Sequence, residues 1–172
     1  GIKHTNGTNA MTVSSGGVVT FNNQPINAVP SLTYLSAKLV VAGGGYSISS
    51  GSIITPFVVD GNSNGITMSN QNRFTVSSAG VYIIKSRFYI YGTANPATTM
   101  YLIKRNGNEI ARVVNDMAGF SGSNGDYTRL LEWAGELAAN DYIEFFNDTS
   151  SLTNYANSDH HNRISIIKLG TV

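Results

Sequence analysis

From residue 33 onward, short runs of β-branched and aromatic residues alternate with turns built from Gly, Asn, Asp and Ser. That spacing is the pattern of a β-sandwich or barrel. The runs span residues 35–42, 52–60, 71–76, 81–91, 99–105, 109–115, 127–137, 141–147 and 163–169. Pro56 cannot donate a ladder hydrogen bond, so part of 52–60 belongs at an edge or a bulge. Asn106-Gly107-Asn108 sits between two apolar runs and predicts a hairpin, because Asn and Gly both tolerate the positive φ of a tight turn.

One segment supports two readings. In residues 128–141, Leu130, Leu131, Ala134, Leu137 and Ala138 fit a helical face, but Gly135 in its middle would cost a helix ~1 kcal/mol. The alternation of Leu131, Trp133, Gly135 and Leu137 against Thr128, Leu130, Glu132 and Ala134 fits a strand as well. The neighbouring β runs favour the strand.

Residues 1–32 differ from the rest. Met11-Thr12-Val13 and Val18-Val19-Thr20-Phe21 flank Ser-Ser-Gly-Gly, and Pro25 and Pro30 close the segment. It reads as an extended connector with a small hairpin, followed by a main domain over 33–172. The first ten residues contain no apolar segment of the signal-peptide kind, although earlier processing would leave no trace.

Composition removes several function classes. Only 12% of the 172 residues are charged, against a usual ~25%, and the formal net charge is +1. That argues against an electrostatic grip on nucleic acid or on an anionic membrane. No apolar run approaches the ~20 residues of a spanning helix, so membrane insertion is not expected. Cysteine is absent, which excludes disulfides and thiolate metal sites.

Catalytic chemistry is poorly served. No G-x-S-x-G elbow occurs, and Gly119-Phe120-Ser121-Gly122-Ser123 lies in a glycine-rich loop where serine makes turns. The ten carboxylates are scattered, so no glycosidase pair stands out. Asp159-His160-His161 is the densest group of metal-capable side chains, but a metal needs three or four ligands. Asp116 and Asp126 stand alone, so calcium is unsupported. The expectation is a non-enzyme with no metal or cofactor. Asn6-Gly7-Thr8 and Asn147-Asp148-Thr149 are formal glycosylation sequons of the kind an Asn-rich chain carries by chance.

Three stretches resemble the complement-globular-head and tumour-necrosis-factor (TNF)-like jelly roll. Phe74-x-Val76-x-x-x-Gly80-x-Tyr82-x-Ile84 is similar to F-x-V-x-x-x-G-x-Y-x-F, with Ile84 for the last aromatic. Residues 101–110 resemble the hairpin that ends in an Asn-Gly turn. Leu137-Ala138-Ala139-Asn140-Asp141-Tyr142-Ile143-Glu144-Phe145 is similar to L-x-x-G-D-x-V-x-L, and Asn140 can replace Gly because it also enters the left-handed region. The implied fold is all-β: an antiparallel jelly-roll sandwich, preceded here by a short extended β stem.

In run 81–91, Tyr82, Ile84, Ser86, Phe88 and Ile90 form the natural core face, and Ser86 needs a partner there. Val81, Ile83, Lys85, Arg87, Tyr89 and Tyr91 form the other face. A strand apolar or aromatic on both sides is usually buried on both. The resemblance implies that this second face looks toward a three-fold axis, giving a homotrimer with those six residues and Glu132 at the contact. The alternative is that Tyr89 and Tyr91 are ordinary surface tyrosines. Lys85 and Arg87 would repel near an axis unless paired, and Glu132 on the neighbouring strand is the expected partner. A solvated rim is the other possibility.

Residues 43–52, 92–98, 116–127 and 149–162 are neutral segments rich in Gly, Ser, Asn and Tyr. Loops of that chemistry on a rigid sandwich are where recognition normally sits. Tyr46, Tyr127, Tyr155, Asp159, His160 and His161 are the candidate ligand contacts. Residues 9–21, followed by Gln24-Pro25, resemble the β stem before the C-terminal heads of tailed-phage fibres and spikes. That resemblance implies a virion receptor-binding head, extracellular, held to other tail proteins through its N-terminus and attaching to a host-surface glycan or protein. The competing expectation is a structural virion or spore-surface protein whose head drives fibre trimerisation or decorates a shell.

Overall fold

A computed structural model describes residues 11–13, 15–17, 19–21, 32–40, 46–90, 98–116, 127–148, 152–154 and 162–171. The chain divides into two compact units, Gly1–Ser31 and Leu32–Val172. In the first, β1 (Met11–Val13) and β2 (Val19–Phe21) form an antiparallel hairpin, with Gly17 at a φ of 76° in its loop.

The second unit contains the remaining strands: β3 (Tyr34–Leu39), β4 (Tyr46–Ile48), β5 (Ser52–Ile53), β6 (Phe57–Val59), β7 (Ile66–Ser69) and β8 (Arg73–Val76). There follow β9 (Gly80–Ile90), β10 (Thr98–Arg105), β11 (Asn108–Asp116) and β12 (Tyr127–Leu137). The chain closes with β13 (Tyr142–Asn147), β14 (Leu152–Asn154) and β15 (Arg163–Gly170).

They make two antiparallel sheets. One runs β11-β10-β13-β8-β7, with β5 also on β13. The other runs β4-β14-β9-β15-β3-β6, with β12 along the far side of β9. Both sheets alternate between core and outward residues. On β3, Leu35, Ala37 and Leu39 are buried, and on β15, Ile164 and Ile166 are. Between the sheets, Phe57 lies 5.6 Å from Phe74, 6.0 Å from Phe145 and 6.4 Å from Phe88. Phe88 stacks on Tyr101 at 5.1 Å. Such ring pairs each add ~0.5–1.5 kcal/mol beyond the area they bury.

The doubtful segment 127–137 is a strand: Leu131 and Leu137 face the core and Glu132 and Leu130 face out. Gly135 has a packing reason to be there, because a Cβ at that position would lie 2.5 Å from the Trp133 ring. The run 52–60 divides at Pro56 into β5 and β6, which join different sheets. Residues 66–69, which sequence alone did not mark, pair with β8 through a turn in which Asn70 and Gln71 have φ of 51° and 58°. The Asn106-Gly107 turn has φ of 52° and 82°, and Asn140 has 70°.

Two of the expected loops are shorter than read. Residues 43–52 contain β4 and 149–162 contain β14, and these two strands pair with each other. Each is only three residues long and set among Gly, Ser and Asn, so too little alternation shows in sequence to mark a strand; pairing with a neighbour fixes it.

Candidate functional site

The outward face of the second sheet is built from alternate residues of five strands, β12, β9, β15, β3 and β6. On β9, Tyr82, Ile84, Ser86 and Phe88 are buried in the core, and the Ser86 hydroxyl donates to the Leu131 carbonyl at 3.1 Å. Val81, Ile83, Arg87 and Tyr89 point the other way and are half-buried, while Lys85 is exposed. Glu132 stands directly opposite Lys85, with Oε1 3.2 Å from Nζ, as expected of the pair. Tyr91 lies outside the described residues.

Register extends this face in rows. Arg87 is flanked by Leu130 of β12 and Arg163 of β15, and Arg163 is flanked by Lys38 of β3. Asp60 accepts from Arg163 at 2.8 Å and lies 3.9 Å from Lys38. Another row holds Ala134, Ile83, Ile167 and Tyr34. A recess of about 180 Å³ opens beside it, lined by Ile83, Lys85, Glu132, Trp133 and Ala134. Leu130 is 63% exposed and Val58, opposite Lys38 on β6, is 44% exposed. Sequence reasoning missed Leu130, Arg163, Ile167, Tyr34 and Lys38. The alternation of Arg163, Ser165 and Ile167 against Ile164 and Ile166 was a usable signal, but which strand β15 would join was not.

The expected ligand contacts fall elsewhere. Tyr46 is the first residue of β4, rather than a loop residue, and Tyr127 the first of β12. Tyr155, Asp159, His160 and His161 lie outside the described residues. Ile90 pairs with both Tyr127 and Asn154, and Thr98 pairs with Asp116. Linking the two sheets, buried Asn147 of β13 donates to the carbonyls of Ile48 and Ser49 at 2.9 and 3.2 Å. The strand ends flanking 41–45, 91–97, 117–126 and 155–161 therefore gather at one end of the sandwich. The same burial removes Asn147 from use as a glycan acceptor in the folded unit.

The opposite end is tightly tied. The Lys168 amide donates to the Thr33 carbonyl at 2.9 Å, so the first and last segments of this unit meet there. Asn106 Nδ2 donates to Asp141 Oδ1 at 2.6 Å, and the Tyr142 amide donates to Asn106 Oδ1 at 2.9 Å. An open recess of about 510 Å³ lies here, lined in part by Arg105, Asn108, Glu136 and Asp141. Its polar groups largely satisfy one another: Arg105 donates to the Glu136 carbonyl and Asp141 Oδ2 accepts from the Ala138 amide.

The outward face of the first sheet is likewise self-paired. Arg73 donates to buried Glu144 at 3.0 Å and lies 4.0 Å over the Tyr142 ring. Lys104 covers Phe146 at 3.8 Å. Arg112 grips Glu109 through two hydrogen bonds, of 2.9 and 2.6 Å. That grip holds the Glu109 carboxyl below the usual carboxylate range and raises the Arg112 guanidinium. Among the described residues no cluster of three or more metal-capable side chains occurs, and no helix is long and apolar enough to cross a membrane.

No family model matches the chain, and no curated protein matches it in sequence. Among solved structures it is similar to the Eiger TNF of S. frugiperda, with a TM-score of 0.71 over 82% of this chain and 94% of that one. The two are 12% identical, so the likeness is one of fold. With two antiparallel sheets, this strand order and that neighbour, the second unit is a TNF-like jelly roll.

Proposed function

We propose that this chain forms the trimeric receptor-binding head of a phage tail fibre, attaching to a host-surface glycan or protein through the segments at the free end of the sandwich. The observation that carries the trimer is the outward face of the β9 sheet. Val81, Ile83, Tyr89, Ile167 and Leu130 share a surface that a monomer would leave wet. Burying it against two further copies removes apolar area from water at about 25 cal/mol per Å². A heterologous contact of this kind closes into a ring.

The attachment role rests on where the strands end. The neutral Ser-, Asn- and Tyr-rich segments leave one end, and residues 32–33 and 168–170 share the other. A stem bearing such a head presents three sets of these segments together, and linked sites gain avidity without any new contact. The fibre context is supported by the sequence of residues 9–25 alone.

Light scattering of the purified chain is expected to give about three times 18.4 kDa. A stable monomer overturns the trimer. Labelled protein should bind host cells and be displaced by their surface glycans or by protease treatment of the cells. A trimer that binds no cell in a panel of bacterial hosts would favour the structural virion role instead.

A further inference from the structure

We propose that Arg87 and Arg163, with Lys38 beside them, form a binding site for a compact oxyanion of the phosphate or sulfate class on the outward face of the β9 sheet. The three cations lie in one row on adjacent strands, Arg87 opposite Arg163 and Arg163 opposite Lys38. Directly opposed residues in an antiparallel pair have Cβ atoms only ~4.5–5.5 Å apart, and like charges there repel. Asp60 is the described carboxylate that answers this row, and it engages Arg163 and Lys38. The Arg87 side chain makes no hydrogen bond or ion pair with any described residue and is half-buried, so its charge is only partly screened. On its other side stands Leu130, which offers no acceptor. Lys85, two residues back on the same face, is already engaged by Glu132.

A guanidinium presents a planar fork that matches two oxygens of a tetrahedral anion, and two guanidinia side by side can share one such anion. The bound anion would turn the repulsion between Arg87 and Arg163 into a bridge. The three cations come from one chain, and in the proposed trimer, whose contact includes Arg87, the anion would be held at the subunit interface.

The test titrates sodium phosphate into the full chain by calorimetry, with sodium chloride at matched ionic strength as the reference, and follows Tm in the same buffers. Saturable phosphate binding and a phosphate-specific rise in Tm are expected. Arg87→Gln should weaken binding about tenfold or more, the loss of one charged hydrogen-bonding group. Arg87→Lys, which keeps the charge but not the fork, should bind at an intermediate level and serves if the glutamine variant misfolds. Lys104→Gln, on the outward face of the other sheet, should bind as the parent does. No saturable binding by the parent chain, or equal binding by Arg87→Gln, overturns the site. Light scattering in each buffer reads the trimer separately, so the two proposals fail independently.

Discussion

A Cβ on Gly80 would lie 2.3 Å from the Gly170 carbonyl oxygen. The start of β9 and the end of β15 pass so closely that only a hydrogen fits between them, at the point where their register slips between Lys168 and Gly170. This is the glycine of the Phe74-Val76-Gly80-Tyr82 pattern. Its aromatic companion, Tyr82, is fully buried and donates its hydroxyl to the Ser78 carbonyl at 2.7 Å.

Gly80→Ala should destabilise the head by about 2 kcal/mol, the usual range for an overpacked site being ~1–3 kcal/mol. Part of the obstruction is backbone, which cannot swing aside as the Lys168 tip can. The urea midpoint reads the change, and an unchanged midpoint would show that the chain end moves freely.

Gly135→Ala should push the Trp133 ring from its place and cost about 1–2 kcal/mol. Trp133 is the single tryptophan, so its fluorescence maximum should shift in the native state as well. A spectrum identical to the parent's would mean that the ring does not rest where the structure puts it.

Arg73→Ala leaves the buried Glu144 carboxylate without its cation, at a cost of about 3 kcal/mol. Adding Glu144→Gln should recover part of that loss by removing the charge. If the double variant is no more stable than the single one in chemical denaturation, the ion pair is not the source.

The Glu109–Arg112 pair carries a pH signature. Because the folded carboxyl titrates below its ordinary value, its stabilisation is present above that value and fades as pH falls through the lowered one. An NMR titration should place the Glu109 midpoint below the usual carboxylate range, and Arg112→Ala should return it there. A midpoint that ignores the arginine would contradict the geometry.

Glu132→Gln separates a surface pair from an interfacial one. In a lone chain both side chains are more than half exposed, and such a pair is worth ~0–1 kcal/mol. In a trimer that covers it, Lys85 would be left buried and unpaired, so dilution should dissociate the variant well before the parent. Equal dissociation on dilution would place the pair at a wet rim.

The strands themselves were largely legible in the sequence. The two-residue alternation of β3, β9, β12 and β15 marks which side chains face the core, and Asn106, Gly107 and Asn140 announce left-handed turns that few other residues enter. Where a run is too short to show its period, legibility fails: β4, β7 and β14 are three or four residues long, and they exist because a paired neighbour supplies their hydrogen bonds.

What local sequence determined is the set of strands, their inward faces and the turns between them, because these depend on side-chain period and backbone sterics within a few residues. What only the tertiary structure decided is which strands are neighbours. The Lys85–Glu132 pair joins positions 47 residues apart, and the Arg87, Arg163, Lys38 row draws on three distant segments. Those juxtapositions come from sheet register across long connections, which nothing local in the chain specifies.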